Sequence, residues 1–238
     1  ASIVYLYAHG RGKRSPISVL GDFKGILQTD RYAGYKELQA KEDVVDIACW
    51  AHARRKFVEA NRYGKARAGP IVKMLGNLYK IEREAKDRSL SWPLRAQLRS
   101  EKAAPILKQI KAEMDKLSNC TAPSTPLGEA LSYALGNWQA LVKYVEYGQV
   151  EIDNNSIENS MRPIAIGRKN YMFAGSEGGA EACSIIYSLT ESCRRLGVDP
   201  MKNLCHVFVE LATIDKEDGE AYKALTPASY AANLASKN

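Results

Sequence analysis

The sequence predicts an α/β fold whose strands come early and whose middle is a long run of helices. Three observations carry that expectation. Short β-branched or apolar runs at 2–8, 25–30 and 44–50 read as strands. Residues 66–148 keep apolar positions at helical spacing throughout. After Gly148 the texture returns to polar turns and short helices.

The elements follow in order. Residues 2–8 (SIVYLYA) read as a first strand and residues 9–16 (HGRGKRSP) as a basic turn, with a short helix over 17–23. Gly25-Ile-Leu-Gln-Thr-Asp30 reads as a second strand that ends on a carboxylate, and Tyr32 to Ala40 as a helix. Val44 to Trp50 reads as a third strand leading straight into a helix that carries His52, Arg54, Arg55 and Lys56. In the helical stretch, Ile71, Leu75, Leu78 and Ile81 set the register, followed by Ile106, Ile110, Met114 and Leu117, then Leu127, Leu131, Ala134, Trp138 and Leu141. Pro93 and Pro126 suit helix starts, and Pro105 begins a new helix or bends an old one. Residues 119–126 (NCTAPSTP) are the clearest linker. Asp153 or Asn154 can cap a short helix whose buried face is marked by Ile157 and Met161. A basic loop with Arg168 and Lys169 follows. A helix over 180–196 then closes on Gly197, and Asp199-Pro200 opens another to about Ile214. The expected division is 1–65 (strands), 66–148 (helical insertion), 149–214 (return to the core) and 215–238 (a weakly ordered tail). The insertion reads equally as a separate helical domain.

The chain of 238 residues carries a formal charge of +7, which favours a polyanionic partner, nucleic acid first. Its 45% hydrophobic content is enough for a buried core and argues against disorder. Five scattered cysteines do not form a disulfide framework, and a reducing cytoplasm fits them best. The opening apolar run is too short for a signal peptide or a membrane span, so no membrane partner is expected. With no initiator Met, the sequence reads as beginning inside a domain.

Two carboxylates stand out. Asp30 ends a strand, where α/β sheets present ligand-binding groups, although it could also cap the helix near Tyr32. Glu158 follows the paired Asn154 and Asn155 and precedes two basic clusters, although an exposed pair with Arg162 explains an isolated Glu equally well. Acids from distant parts of a chain can hold Mg2+ (or Mn2+) and activate attack on a phosphodiester. Most such sites need a third acid, and no carboxylate precedes Asp22. Cys49-Trp-Ala-His52 is too small a set for structural zinc and is read as positional, with a Cys49 nucleophile as the remote alternative. Arg54, Arg55, Lys56, Arg162, Arg168 and Lys169 suit phosphate contact, against a plain solvated surface. Gly175 to Gly179 does not fit a phosphate-binding P-loop.

These residues resemble the transposases of insertion sequence 66. The blocks are Gly25-Ile-Leu-Gln-Thr-Asp-Arg-Tyr-Ala-Gly-Tyr35, Cys49-Trp-Ala-His-Ala-Arg-Arg-Lys-Phe57, Ile152-Asp-Asn-Asn-Ser-Ile-Glu158 and Arg162-Pro-Ile-Ala-Ile-Gly-Arg-Lys-Asn170. Their order matches the family. Arg31 stands where the family usually has a small residue. The resemblance implies an RNase H-like core, incomplete here and interrupted by a large α-helical insertion. It makes Asp30 the second and Glu158 the third metal-binding acid, with Cys49, His52, Asn154 and Asn155 in support. The implied activity is metal-dependent DNA strand cleavage and strand transfer at transposon ends, by a homo-oligomer or together with an intact transposase. The family's first Asp has no counterpart, so the chain by itself is expected to be poorly active or inactive. The alternative is a non-catalytic DNA-binding or assembly fragment that modulates an intact transposase.

Overall fold

The computed structural model describes residues 2–10, 12–63, 67–215 and 218–236. It divides into two compact units, Arg11–Ser156 and Ala1–Gly10 with Ile157–Asn238. They are called here the sheet body and the terminal body.

The sheet body opens with α1 (Arg14–Leu20), then β1 (Gly25–Thr29), a 3-10 turn leading into α2 (Lys36–Gln39), and β2 (Val44–Ala48). The strands run parallel, from Gly25 opposite Val44 to Thr29 opposite Ala48. Strand and helix positions follow the reading of the sequence to within a few residues. α3 (Trp50–Tyr63) leaves β2 almost without a loop. It packs against α4 (Gly69–Asp87) and α7 (Pro126–Gly136). α5 (Trp92–Leu98) runs through a π-helical turn at Arg99–Ala103 into α6 (Ala104–Ser118). Pro105 accounts for that turn: it has no N–H to give and crowds the carbonyl one turn back, so the preceding helix loosens instead of stopping. α8 (Trp138–Val142) follows α7.

One hydrophobic core runs from Ile47 on β2 through Trp50 and Phe57 on α3 to Ile71, Leu75 and Leu78 on α4, Ile110 and Met114 on α6, and Ile152. A buried ion pair closes it. Arg99 is fully buried and donates Nε and Nη2 to the two oxygens of Glu82, each at 2.8 Å. Its remaining hydrogens reach the carbonyls of Tyr144 (2.8 Å), Tyr147 (2.9 Å) and Val150 (2.8 Å). All five guanidinium donors are thereby used, which is what a buried arginine requires. The residue ties α4 to the segment returning toward Ile152.

In the terminal body, residues 2–8 correct the expected first strand. They alternate as a strand does, with Ile3 and Tyr5 buried and Val4 and Leu6 exposed, yet no strand pairs with them among the described residues. The Ile3 N–H donates to Ser192 Oγ at 2.9 Å and the Tyr5 N–H to Ser188 Oγ at 2.8 Å. Both serines lie on α11 (Glu177–Leu196). A serine row on a helix has replaced a neighbouring strand as the hydrogen-bond partner.

Three further expectations change here. Arg168 and Lys169 lie in the last turn of a helix, α10 (Arg162–Tyr171), and not in a loop. Pro163 suits its first turn, and Gly167 allows close contact, since a Cβ there would sit 2.6 Å from the Tyr187 hydroxyl. α9 (Asn155–Ser160) buries Ser160, while Ile157 and Met161 are exposed, because Tyr5 Oη donates to the Ser160 carbonyl and Arg195 Nη2 reaches Ser160 Oγ at 2.8 Å. The expected tail carries α13 (Gly219–Ala224) and α14 (Pro227–Ala235) after α12 (Pro200–Leu211), and α14 packs on α11. Ser176, Asp199, Asp218 and Thr226 cap these helices with side-chain oxygens, and Gly197 closes α11 in the left-handed conformation (φ +69°).

Candidate active site and nucleic-acid interface

Asp30 follows the last residue of β1, so it sits at the carboxyl end of a parallel pair, where such sheets offer their ligand crevice. Its side chain is exposed, and Oδ1 accepts the Tyr32 N–H at 3.0 Å. That is a local turn contact, and the 3-10 turn that follows has no side-chain cap. Arg31 adopts φ +68°, a conformation costly for a residue with a Cβ. It is held there by an ion pair with Asp46 and by Nε donating to Asn137 Oδ1 at 2.6 Å. The chain therefore stores strain directly beside the candidate acid. The Tyr133 hydroxyl donates to the Asp30 carbonyl at 3.3 Å. Burial first, then the charges of Cys49 and Asp30, push this phenol up to about 12, so it remains a donor at neutral pH. Lys56 places its ammonium 5.3 Å from the Tyr133 ring centroid, a cation–π contact beside the same acid.

The second sequence block lies next to the first. The Cys49 N–H donates to the Thr29 carbonyl at 3.1 Å, which extends the ladder past β2. The third block is fastened to both. Trp50 N–H reaches the Ile152 carbonyl at 3.1 Å, Gln28 Nε2 the Glu151 carbonyl at 2.8 Å, and Asn154 N–H the Cys49 sulfur at 3.4 Å. Residues 151–155 are thus held against the carboxyl ends of both strands. Asp153 accepts from the Asn155 N–H (3.1 Å) and Asn155 Nδ2 (2.9 Å), so Asn155 braces Asp153. Asp153 also accepts from the Tyr79 phenol on α4, whose pKa rises through burial and then through that carboxylate. Burial pushes the Cys49 thiol above its ordinary value, against the pull of the Asn154 N–H. Burial that raises the pKa of a thiol makes it a poorer nucleophile, which weighs against the nucleophile alternative. His52 is half-buried in the first turn of α3.

Between α3 and α4 lies an open cleft of about 560 Å³. Ala51, Arg54, Arg55 and Val58 line one wall, and Gly76, Tyr79, Lys80 and Arg83 the other, with Asn155 at the margin. Arg54 stacks over Tyr79, 5.8 Å from its centroid.

The terminal body holds the remaining candidates. Glu158 is half-buried on α9, and Arg162, Arg168 and Lys169 are exposed on α10. Arg168 and Lys169 line a shallow hollow of about 430 Å³ with Ala165 and Met172. The structure thus brings Asp30, Cys49, His52, Asn154, Asn155, Arg54, Arg55 and Lys56 into one body and places Glu158 in the other. Among the described residues no group of three or more His, Cys, Asp or Glu side chains is placed to hold a metal ion.

The family model described as Transposase IS66 family matches residues 1–182. The chain belongs to that family. The IS66 match spans Asp30, Cys49, Asn154 and Glu158 and stops within α11. Three similar curated proteins are uncharacterized proteins of Sinorhizobium fredii (strain NBRC 101917 / NGR234). The one called y4jD is 33% identical over 219 residues, covering 89% of this chain and 42% of its own length. The one called y4qI is 33% identical over 219 residues (88% and 40%), and the one called y4hP is 32% identical over 229 residues (89% and 41%). The chain therefore spans about two fifths of the curated relatives it matches. No solved structure gives a significant match. Among the described residues no helix is long and apolar enough to cross a membrane.

Several residues of the sheet body have partners that local sequence does not show. Lys80, Arg83 and Tyr79 carry an i, i+3, i+4, i+7 signal with Gly76, but on the polar face of α4, where only the apolar face had been followed. Asp153 was noticed only as a helix cap. Tyr133 and Arg99 carry no local signal, since their partners are remote in sequence.

Proposed function

We propose that the chain carries the later part of an RNase H-like catalytic core of a DDE transposase, with Asp30 and Glu158 as the second and third acids. The observation that supports this best is the fastening of three family blocks around the carboxyl ends of β1 and β2, with Asp30 exposed at the tip and strained backbone beside it. The donor chemistry suits Mg2+ or Mn2+, since both acids offer carboxylate oxygens and a second oxygen of Asp30 remains beyond the Tyr32 contact. Bound there, the metal would activate the attacking oxygen and stabilise the leaving oxygen of a phosphodiester. Meeting of the two acids at one cation belongs to the proposal, as do the transposon ends and target DNA as substrates, an oligomeric assembly and a cytoplasmic setting. Arg54, Arg55, Lys56, Arg162, Arg168 and Lys169 would position phosphates.

The test uses the full-length protein that contains this chain. Metal-dependent nicking of transposon-end DNA should fall to background in Asp30→Ala and in Glu158→Ala. Asp87→Asn, at the exposed end of α4, should leave it unchanged. Nicking that persists in both alanine variants overturns the assignment. The alternative, a non-catalytic DNA-binding or assembly fragment, makes the contrasting prediction of salt-dependent binding that is never followed by cleavage.

A further inference from the structure

Two helices of the sheet body turn matching stripes toward each other. Ala51, Arg54, Arg55 and Val58 stand at i, i+3, i+4 and i+7 on α3, and Gly76, Tyr79, Lys80 and Arg83 repeat that spacing on α4. Such a stripe runs along one face of a helix for about 10 Å. The two stripes bound the 560 Å³ cleft, and its lining among the described residues includes four cations and no carboxylate. The acids nearest in sequence on α4 are engaged elsewhere. Glu82 is bonded to Arg95 and Arg99, and Glu84 to Arg88 and Lys102. Asp153, beside the cleft, is engaged by Tyr79 and Asn155, and the cations gathered around the concavity raise its local potential and favour a polyanion.

A second, independent observation comes from Gly76. It lies mid-helix, where glycine is less stable than alanine by about 0.5–1 kcal/mol. Packing does not require it, because a Cβ built there meets no atom within 4 Å. The missing side chain leaves open a wall of the cationic cleft, which is where glycine is used when a ligand must approach a backbone closely.

We infer that the α3–α4 cleft is a binding site for the phosphodiester backbone of a DNA strand, with Arg54, Arg55, Lys80 and Arg83 as phosphate contacts and Tyr79 as an aromatic wall. The stripe length corresponds to about three phosphates at the ~3.4 Å rise of one strand. The inference deepens the reading of the chain as a DNA transposase and rests on it for the identity of the polyanion. It adds Lys80 and Arg83 on the insertion to the cations of α3.

The experiment is fluorescence anisotropy of the 238-residue chain with a short labelled DNA duplex, titrated across a range of salt. Lys80→Gln/Arg83→Gln removes two exposed cations and leaves the buried face of α4 intact. Two lost contacts should lower the slope of log K against log salt by about 1.8 and weaken binding tenfold to a hundredfold at 0.1 M salt. Gly76→Glu, whose Cβ meets no atom within 4 Å, brings a carboxylate to the opening and should weaken binding at least tenfold while circular dichroism shows an unchanged fold. Lys108→Gln/Lys116→Gln on α6 removes the same charge away from the cleft and should change affinity less than threefold. The inference is overturned if the cleft variants bind like the parent, if the α6 variant weakens binding as much as they do, or if the parent does not bind at low salt. Complete competition by inorganic phosphate at matched ionic strength overturns it too, in favour of a small phosphate ester. Failure here with Asp30-dependent nicking intact removes only the cleft. A cleft that binds DNA in a protein whose nicking ignores Asp30 removes only the transposase reading.

Discussion

The sheet body and the terminal body solve the same problem with different means. In the sheet body, Ile47, Trp50, Phe57, Ile71, Leu75, Leu78, Ile110 and Leu141 are wholly buried, and a five-donor arginine closes the structure. In the terminal body, Cys193 is the one apolar side chain so deeply buried among the described residues, whereas Ile157, Met161, Ile166, Phe173, Ile185, Phe208 and Val209 are exposed. α11, α12, α13 and α14 are capped by side-chain oxygens, and its extended segment is held by two serine hydroxyls. The first removes more apolar area from water, and in the second side-chain hydrogen bonds to the backbone carry a larger share of the contacts described. Asp30 and the cationic cleft belong to the sheet body, Glu158 and the α10 cations to the terminal body.

The largest expected effect would break this contrast. Arg99→Ala leaves buried Glu82 with Arg95 alone, strips the Val150 carbonyl of its side-chain donor, and leaves the carbonyls of Tyr144 and Tyr147 with only their backbone donors. It should destabilise the sheet body by about 3–5 kcal/mol. Glu82→Leu/Arg99→Met, which removes both charges, should be milder than either single change. Urea unfolding followed by Trp50 fluorescence measures this, and a loss below 1 kcal/mol in Arg99→Ala would mean that the network does not hold the body together. The comparable change in the terminal body, Ser192→Ala, deprives the Ile3 N–H of its acceptor and should cost about 1–2 kcal/mol, confined to residues 2–8 and α11. Hydrogen exchange reads where the loss falls. Increased exchange spread through α4 and α6 would contradict the local assignment.

Much of the sheet body could be read from the sequence because its cues are local. Gly25 to Thr29 and Val44 to Ala48 are short apolar runs bounded by turns. Thr125-Pro126 marks a helix start by a cap oxygen followed by a residue that needs no N–H, as Asp199-Pro200 does in the terminal body. What escaped depends on remote partners. The alternation of residues 2–8 is the same whether the neighbour is a strand or a row of serines 183 to 189 residues away. Ile157 and Met161 carry helical spacing, but the hydroxyl of Tyr5 and the guanidinium of Arg195 select Ser160 as the inward face. Asp30 and the Cys49 block could be singled out as candidates because family spacing marks them. The pairing of Arg99 with Glu82, 17 residues apart across two helices and a π-turn, has no periodic signature.

A smaller effect sharpens the contrast at Gly76. Gly76→Ala adds a Cβ into open space and should stabilise the sheet body by about 0.5–1 kcal/mol, as an ordinary helix interior would. If the cleft accepts DNA against that wall, the same variant should bind DNA slightly more weakly while melting higher. Stabilisation accompanied by tighter binding would argue that the glycine serves the helix alone.

The smallest effect is one of pH and acts on the two bodies unequally. Glu151 precedes the segment fastened to Cys49, and hydrogen bonds from Arg95 hold its carboxyl below the usual value despite partial burial. A depressed carboxylate contributes stability that is present above its unfolded pKa and lost as pH falls through the folded one. Glu151 is largely exposed, so solvent screening limits the contribution to below about 1 kcal/mol. Glu151→Gln should therefore lower stability slightly at pH 7, and its difference from the parent should shrink to nothing as pH drops through the carboxylate range. The serine contacts to Ile3 and Tyr5 do not titrate, so Ser192→Ala should show a penalty that stays constant over the same interval. A Glu151→Gln penalty that persists at acid pH would show that shape at this position, and not charge, fastens the returning segment to the strands.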